Sequence, residues 1–564
     1  MLNVGLQVNH FTLCIYRDIF NKKFEFNIEQ MSYWLAPVGY WQPRNFQLDP
    51  RSVIDWRMIS SVSNADPNGL KWQPGMPFEQ LTNRYLIDPR DGGRRFHSIR
   101  VEPKMKPSDP VPESAPRHKF MDSILDYSCS LFKLSRQRVQ WVEDQPVVQA
   151  EKFLLRYNLF TDLSEQEKSA KTMCYLCLEP LLFSALPVSV VTMAYLFPAI
   201  ITRLEAYLIA LEACKLLDID ITPDLALEAL TKDSDNTEEH RAKQTHVQRG
   251  MGKNYERLEF IGDAFLKMAT SVSIFANSPM NDEFAYHVQR MCMICNKNLL
   301  NTALGYKIYE FIRTSAFNRR TWYFDSVKLL EGKNVGKQTS QAHKHGLADK
   351  TIADVCEALI GAAFISHRDT GNMDMAVGAV TKFVSHSDHT ATRWADYFAS
   401  YELPAYQTAG STASQADLAA QIEKRIGYRF KYPRLLRSAF CHPSYPFIEE
   451  KLPSYQRLEF LGDALLDLAS IEFLYHRHPD KDPQWLTEHK MAMVSNKFLA
   501  ALSVKLGFHV HLRYNGVLIE SQNRRYVGEV TEAEDEANGA KDYWTNVRQP
   551  PKVGDLPFEN NARD

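Results

Sequence analysis

The chain has 564 residues, of which 45% are apolar and 24% charged, and its formal net charge is -2. This length predicts three or four domains that each bury a core, and the ordinary composition excludes a mainly disordered or fibrous protein. The net charge gives no indication of a nucleic-acid partner, because carboxylates gathered around a metal offset a basic surface in the total.

Nine cysteines at irregular spacings predict a reducing compartment, so we expect an intracellular protein, either cytoplasmic or nuclear. The N-terminus lacks a basic start followed by a long apolar run, which argues against a signal peptide. The most apolar stretch, 181–211, is interrupted by Pro187, Pro198, Arg203 and Glu205. We therefore predict buried helices in this stretch and no membrane span.

In chain order, the first segment alternates helical runs with two runs typical of strands, His10–Tyr16 and Tyr33–Tyr40. The second combines a strand at Phe96–Val101, a proline-rich loop and a helix near Phe120–Phe132. Helical periodicity dominates from about residue 164 onwards. The pattern predicts a mostly α protein whose N-terminal half is α+β. The predicted domains are 1–62, 80–165, 166–219, 220–395 and 417–564.

A long internal repeat organises the C-terminal half. Tyr255–Ser271 and Tyr455–Ile471 are identical at ten of 17 positions, and the same offset of 200 residues aligns 290–297 with 490–497. Arrays of small repeats have much shorter periods. The repeat therefore predicts two consecutive copies of one whole helical domain.

Each copy carries carboxylates at helical spacing. Glu259 and Asp263 are four residues apart and Asp354 and Glu357 are three apart, so each pair lies on one face of a helix. A solvated helix face would explain a single isolated pair. However, the second copy keeps the spacing, and Gly262 in mid-helix indicates the close approach of another backbone.

Four carboxylates on two packed helices repel one another unless they are protonated or a cation neutralises them. Oxygen ligands without His or Cys suit Mg²⁺ or Mn²⁺, with positions left open for water and a substrate phosphate. The pattern therefore predicts metal-assisted hydrolysis of a phosphodiester.

At these residues the chain resembles the Dicer-like ribonuclease III family, whose signature helix reads close to ERLEFLGDA and whose second helix reads close to ADxxEAxIGA. The resemblance implies an endoribonuclease that cuts double-stranded RNA into small interfering RNAs in RNA silencing. It also implies that the two nuclease domains pair within the chain and that each cuts one strand. The implied catalytic and metal-binding residues are Glu259, Asp263, Asp354 and Glu357 in the first domain and Glu459 and Asp463 in the second.

The second copy departs from the family pattern. After Asp542–Lys552 the sequence reads VGDLPFENNARD, in which Pro557 separates two acidic residues and no ADxxEA motif appears. We expect a second domain that is incomplete at its C-terminus and has half of its carboxylates. We also expect no use of ATP, because no GxxxxGK motif occurs, and neither the helicase nor the double-stranded-RNA-binding domain of Dicer enzymes. The alternative is a non-catalytic double-stranded-RNA-binding or scaffold protein with a decayed second site.

The N-terminal half is similar to Dicer enzymes ahead of their nuclease pair: 1–62 resembles the platform, 80–165 the PAZ domain and 166–219 the connector. The resemblance implies a pocket for an RNA 3′ end, with aromatic rings stacked on bases and arginines on phosphates. Each aromatic ring could equally belong to the core. The candidates are Tyr85, Arg94, Arg95, Phe96, Tyr127 and Phe132.

Overall fold

The computed structural model forms two compact units, Met1–Glu205 with Ser315–His345, and Ala206–Thr314 with Gly346–Asp564. The described residues are 2–20, 22–27, 31, 33–39, 53–65, 69–89, 94–115, 121–132, 142–153, 172–232, 252–319, 321–324, 327–330, 347–537, 539 and 543–546.

The first unit contains all eight strands of the described residues. They are β1 (Phe24–Phe26), β2 (Leu70–Lys71), β3 (Arg84–Ile87), β4 (Arg95–Glu102), β5 (Val147–Lys152), β6 (Met173–Cys177), β7 (Leu182–Phe183) and β8 (Val327–Leu329). Six of them form an antiparallel sheet in the order β2-β7-β3-β4-β5-β6, and β1 pairs with β8. The predicted strand at Phe96–Val101 is confirmed as part of β4.

The helices of the first unit pack against these strands. They are α1 (Leu2–Ile19), α2 (Trp56–Ser63), α3 (Ile124–Ser130) and α4 (Val188–Ala194), and α5 (Phe197–Leu216) contains the division between the units. The predicted helix near Phe120–Phe132 is confirmed as α3. The strand predicted at His10–Tyr16 is wrong, because these residues lie inside α1 and turn Phe11 and Ile15 into the core. In the other predicted strand, Val38 makes only an isolated bridge with Ile54.

Two predicted domain boundaries need correction. The connector predicted at 166–219 includes β6 and β7, which pair with β5 and β3 of the sheet, so the sheet domain extends past residue 165. The domain predicted at 220–395 also contains Ser315–His345, which belongs to the first unit through the pairing of β8 with β1.

The stretch from Val188 to Leu216 passes the length and composition test for a membrane-crossing helix, with a mean hydropathy of 1.4 and 22% of its most apolar window buried. The core covers one face of α5, where Ala210, Ala213 and Cys214 are buried. Ile200, Leu204 and Leu208 remain exposed on another face. The expectation of buried helices therefore holds for one face of α5 and is wrong for the other, and the absence of a membrane span stays a prediction.

The second unit is helical, and its described residues contain no strand beyond isolated bridges. The first repeat comprises α6 (Pro223–Ala229), α7 (Glu256–Asn277), α8 (Glu283–Ile294), α9 (Asn296–Gly305), α10 (Asp349–Ile365), α11 (His367–Thr370), α12 (Asp374–Val384) and α13 (Trp394–Ser400). The second comprises α14 (Ala405–Thr408), α15 (Ala413–Ile426), α16 (Pro433–Ser438), α17 (Phe447–Glu450), α18 (Gln456–Arg477), α19 (Pro483–Val494), α20 (Asn496–Lys505) and α21 (Val517–Glu536). The fold class predicted for the whole chain is confirmed.

The central helices of the first repeat, α7 and α10, touch backbone to backbone. A Cβ atom on Gly262 would overlap the carbonyl oxygen of Glu357, and one on Gly361 would overlap the carbonyl oxygen of Leu258. This contact explains why both helices carry a glycine in mid-helix despite its cost of about 1 kcal/mol relative to alanine. The close approach that Gly262 predicted is confirmed.

The two repeats pack together through α7 and α18, the helices that contain the repeated sequence. Phe460, Leu468 and Ile471 of α18 join the core of the first repeat. At opposite ends of this contact, Arg257 donates to the carbonyl oxygen of Tyr475, and Arg457 donates to that of Pro279. Since Arg257 and Arg457 occupy the same position in the two copies, the contact is close to two-fold symmetric.

We expect Gly262→Ala to destabilise the second unit by about 1–3 kcal/mol, the usual cost of overpacking, because α7 and α10 must separate to admit a Cβ atom. Thermal unfolding of the full chain measures this as a lower midpoint. Gly462→Ala is the matched control, since nothing lies within 4 Å of the corresponding Cβ position. It should leave the midpoint unchanged or raise it, and equal losses in the two variants would contradict the packing argument.

Candidate metal centre

Three carboxylates converge where α7 and α10 touch. Glu259 of α7 and Asp354 and Glu357 of α10 each offer a carboxylate oxygen, and these oxygens all lie within 4.8 Å of one another. Asp354 and Glu357 are only 5% and 8% exposed, whereas Glu259 is half-buried. Burial of this many acidic groups at this distance is costly unless protons or a cation reduce their charge.

The electrostatics of the cluster reflect this crowding. Burial, followed by the charges of Asp263, Glu259 and Asp354, raises the pKa of Glu357 to about 9. Burial and the charge of Asp354 raise the pKa of Glu259 to about 7. Such a set of oxygen ligands fits a hard divalent cation, which would compensate the negative charge that this crowding disfavours.

Asp263, the fourth predicted ligand, lies beside the three-residue cluster and not within it. The charge of Asp263 contributes to the raised pKa of Glu357, so the two groups are neighbours. Desolvation by the surrounding protein raises the pKa of Asp263, and Asp467 of the second repeat raises it further. The structure therefore places Asp263 at the edge of the cluster, on the side of α7 that meets α18.

Lys350 is a member of the cluster that the sequence analysis missed. Its ammonium nitrogen lies 2.8 Å from Asp354 Oδ2 and 3.6 Å from Glu259 Oε1. The charge of Lys350 partly offsets the rise in the pKa of Glu259 that burial and Asp354 cause. The available signal was spacing, because Lys350 is four residues before Asp354 on the same helix and such pairs face one another.

The second copy presents its carboxylates in a different environment. Glu459 is exposed and the side chain of Asp463 is 61% exposed, and they join no group of three potential ligands among the described residues. Gly462, Leu465 and Leu466 are also exposed, whereas Phe265 and Leu266 of the first copy are fully buried. Residues 553–564, where the family pattern would place a second acidic motif, lie outside the described residues.

The six candidates for RNA 3′-end binding lie in or beside the sheet of the first unit. Tyr85, Phe96 and Tyr127 are at most 1% exposed, and Phe132 packs edge-to-face on Phe96 with ring centroids 5.8 Å apart. The hydroxyl group of Tyr85 forms a hydrogen bond with the hydroxyl group of Tyr195. These side chains are buried within the protein in this structure, and their contact with RNA stays a prediction.

The two arginine candidates differ from each other. Arg95 is 2% exposed and donates from Nε to the carbonyl oxygen of Asp18 and from Nη2 to that of Phe20, each at 3.1 Å. It thereby satisfies carbonyl groups at the C-terminal end of α1, a role that accounts for its burial. Arg94 is only partly buried.

Two family models match the chain. The model of the ribonuclease III domain matches residues 256–368 and 456–549, and the model described as the PAZ domain of Dicer-like protein 1 matches residues 69–182. The ribonuclease III matches contain α7 with α10 and α18, and the PAZ match contains the six-stranded sheet almost to the end of β7. The predicted family resemblance is confirmed in both halves of the chain.

Curated relatives match along nearly the whole chain. Dicer-like protein 1 of Phaeosphaeria nodorum is 52% identical over 556 residues, which cover 96% of this chain and 36% of that protein. Dicer-like protein 1 of Aspergillus oryzae is 51% identical over 546 residues, with 96% and 36% covered. That of Chaetomium globosum is 48% identical over 567 residues, with 98% and 35% covered. The chain thus spans about a third of the length of these relatives.

Among solved structures, the crystal structure of Dicer from Giardia intestinalis matches 89% of this chain and 84% of its own, with a TM-score of 0.39 and 12% identity. That similarity is too low to bear on any detail of the fold. The sequence relatives and the domain order carry the assignment. With a PAZ domain followed by two ribonuclease III domains, the chain belongs to the Dicer-like family of ribonuclease III proteins.

Proposed function

We propose that the chain is the RNA-cutting part of a Dicer-like endoribonuclease, which hydrolyses double-stranded RNA into small interfering RNAs for RNA silencing. The observation that carries this proposal is the convergence of Glu259, Asp354 and Glu357 within 4.8 Å at a buried helix crossing. A purely RNA-binding role would not require three acidic groups to be gathered at such an electrostatic cost.

In this proposal Glu259, Asp354 and Glu357, with Asp263 at their edge, hold Mg²⁺ or Mn²⁺. A metal held there would supply the chemistry of metal-assisted hydrolysis, an activated water and stabilisation of charge on the leaving oxygen. The carboxylates fix the position of the cation, and the helix crossing at Gly262 fixes the carboxylates. Lys350 balances part of the acidic charge and lies where it can also approach a phosphate.

The substrate assignment rests on the family, because the PAZ domain implies a double-stranded RNA whose 3′ end is held in the first unit. We propose Arg94 as the most accessible of the six predicted contacts, since the other five are at most 6% exposed. The same membership supports action inside the cell, and the nuclear and cytoplasmic compartments remain equal alternatives.

The second domain is proposed to contribute Glu459 and Asp463 to a site for the other strand. In the described residues these two groups have no third carboxylate within ligand distance. We propose that cleavage falls chiefly on the strand presented to the first domain, where the three-carboxylate cluster lies. The substitutions in the first domain are then expected to remove most of the activity.

We expect Glu357→Gln and Asp354→Asn each to reduce cleavage by about 10²-fold or more, because a neutral amide binds a divalent cation poorly. The measurement uses a duplex RNA with each strand labelled separately, incubated with Mg²⁺ and, in parallel, with Mn²⁺. The wild-type chain should nick mainly one strand.

The matched control for these variants is Glu256→Gln, one turn before Glu259 on the same helix. The second copy carries glutamine at the corresponding position, Gln456, so the change is tolerated by the fold. This variant should retain most of the cleavage. If the wild-type chain binds the duplex and cuts neither strand, the scaffold alternative is correct, and if Glu357→Gln cuts as well as wild type, the site is wrongly assigned.

We expect cation binding to strengthen as the pH rises from about 6 to 9 and to release about one to two protons, because the pKa of Glu357 is raised to about 9 and that of Glu259 to about 7. Calorimetric titration with Mn²⁺ near pH 7, in two buffers of different ionisation enthalpy, measures the number of protons.

The same raised pKa values fix the sign of the stability change in the metal-free protein. Both groups bind protons more tightly in the folded state, so their contribution is complete below the unfolded value of about 4.3 and is lost as the pH rises towards 9. Glu357→Gln should weaken the pH dependence of cation binding and that of the stability of the metal-free protein. Binding of Mn²⁺ without proton release would rule out protonated carboxylates in the cluster.

A further inference from the structure

The contact between the two ribonuclease III domains contains a group of six charged residues at equivalent positions of the two copies. The offset of 200 residues relates Asp263 to Asp463, Lys267 to Asp467 and Arg290 to Lys490. The first pair has the same charge and so does the third. Only the middle pair differs, because a lysine in the first domain corresponds to an aspartate in the second.

The structure shows these residues in contact across the domain boundary. Lys267 Nζ lies 3.0 Å from Asp463 Oδ2 and 3.3 Å from Asp467 Oδ2. Within the second domain, Asp467 also forms an ion pair with Lys490, whose Nζ lies 3.0 Å from Asp467 Oδ1. The side chains of Lys267, Asp467 and Lys490 are only 23%, 14% and 20% exposed, so their charges are partly shielded from water.

Arg290 and Lys490 also contact aromatic rings of the opposite domain. The Arg290 guanidinium lies over the Phe460 ring, 4.4 Å from its centroid, and the Lys490 ammonium lies over the Phe260 ring at 5.9 Å. The charges of Asp463, Asp263 and Asp467 act on Arg290. The two cation–ring contacts are symmetry equivalents, since Phe260 and Phe460 occupy the same repeat position.

Counting charges shows what the single difference does. The first domain contributes Asp263, Lys267 and Arg290, a sum of +1, and the second contributes Asp463, Asp467 and Lys490, a sum of -1. The observed pair is therefore neutral. Two first domains paired in the same way would carry +2, and two second domains would carry -2. Partly buried charges that are not compensated weaken an interface strongly.

Two other features of the contact are shared by both copies and do not discriminate between partners. Arg257 and Arg457 each donate to a backbone carbonyl oxygen near the C-terminal end of the opposing helix, and the aromatic rings at positions 260 and 460 are the same. One further position adds to the discrimination. Gln456 Nε2 donates to Glu283 Oε2 at 2.8 Å, and a first domain in that place would present Glu256 to Glu283.

We propose that the opposite charges of Lys267 and Asp467, which occupy equivalent positions in the two copies, determine which domains pair. They make the pairing surface of each nuclease domain complementary to the other domain and repulsive towards a second copy of itself. The partner is thus the other ribonuclease III domain of the same chain. Metal ions bound near Asp263 and Asp463 do not alter the discrimination, because every pairing contains two aspartates at this position. The inference does not depend on catalysis, since it concerns the contact and not the reaction.

The first test is a charge exchange in the full chain. Lys267→Asp and Asp467→Lys each leave the pair with an excess charge of two, and the double variant restores neutrality. Hydrogen–deuterium exchange of α7 and α18 should become about tenfold faster in each single variant and return to within about twofold of wild type in the double variant.

The matched controls are charge reversals in an exposed ion pair on α21. Its members are Arg524 and Glu520, whose side chains are 80% and 49% exposed. Arg524→Asp changes the charge by the same amount as Lys267→Asp, and Glu520→Lys by the same amount as Asp467→Lys. Both controls should exchange as wild type does. Failure of the double variant to recover protection, or wild-type protection in the single variants, would overturn the proposal.

The second test addresses rejection of a second copy. Two isotopically distinct preparations of the full chain are mixed and crosslinked, and crosslinks between two α7 helices or between two α18 helices are counted by mass spectrometry. Such crosslinks should be rare in the wild type and the double variant and several-fold more frequent in Lys267→Asp. Equal yields in all three proteins, zero included, would overturn the proposed rejection.

Discussion

The contact between Gly262 of α7 and Gly361 of α10 is the constraint on which the candidate metal centre depends. Because neither residue has a side chain, the two backbones meet, and Glu259 comes within ligand distance of Asp354 and Glu357. The candidate ligands are carboxylates, but their separation is set by glycines that offer no ligand atom. The same packing buries the acidic groups and so raises the pKa of Glu357 and of Glu259, which favours a bound cation.

A single helix, α7, serves both the site and the domain pairing. One face carries Glu259 towards α10, and another meets α18 of the second domain. Asp263 lies where these faces adjoin, which explains why it stands at the edge of the carboxylate cluster. Its pKa is raised by desolvation and Asp467 and lowered by Lys267, Lys490 and Arg290. The pairing of the domains therefore contributes directly to the electrostatics of the first site.

Much of this arrangement could be predicted from the sequence, because the repeat and the helical spacing of its carboxylates are local features. The strand predicted at His10–Tyr16 failed, since a short run that alternates in polarity also fits one buried face of a helix once Phe11 and Ile15 pack inward. The strand Met173–Cys177 was missed for the converse reason. It is buried on nearly every residue, so it shows no alternation and is indistinguishable from an apolar helix segment.

The limits of prediction are clearest where the two copies share a sequence but differ in surroundings. Gly262 and Gly462 occupy the same position, yet the first meets the backbone of α10 and the second has nothing within 4 Å. In the same way, Leu266 is fully buried and Leu466 is 37% exposed. A motif specifies what a helix can bind, whereas the environment of its carboxylates depends on which other helix packs against it. Likeness of sequence between Glu259 and Glu459 is therefore insufficient to make their sites equivalent, and the first domain alone combines the motif with its packing partner in the described residues.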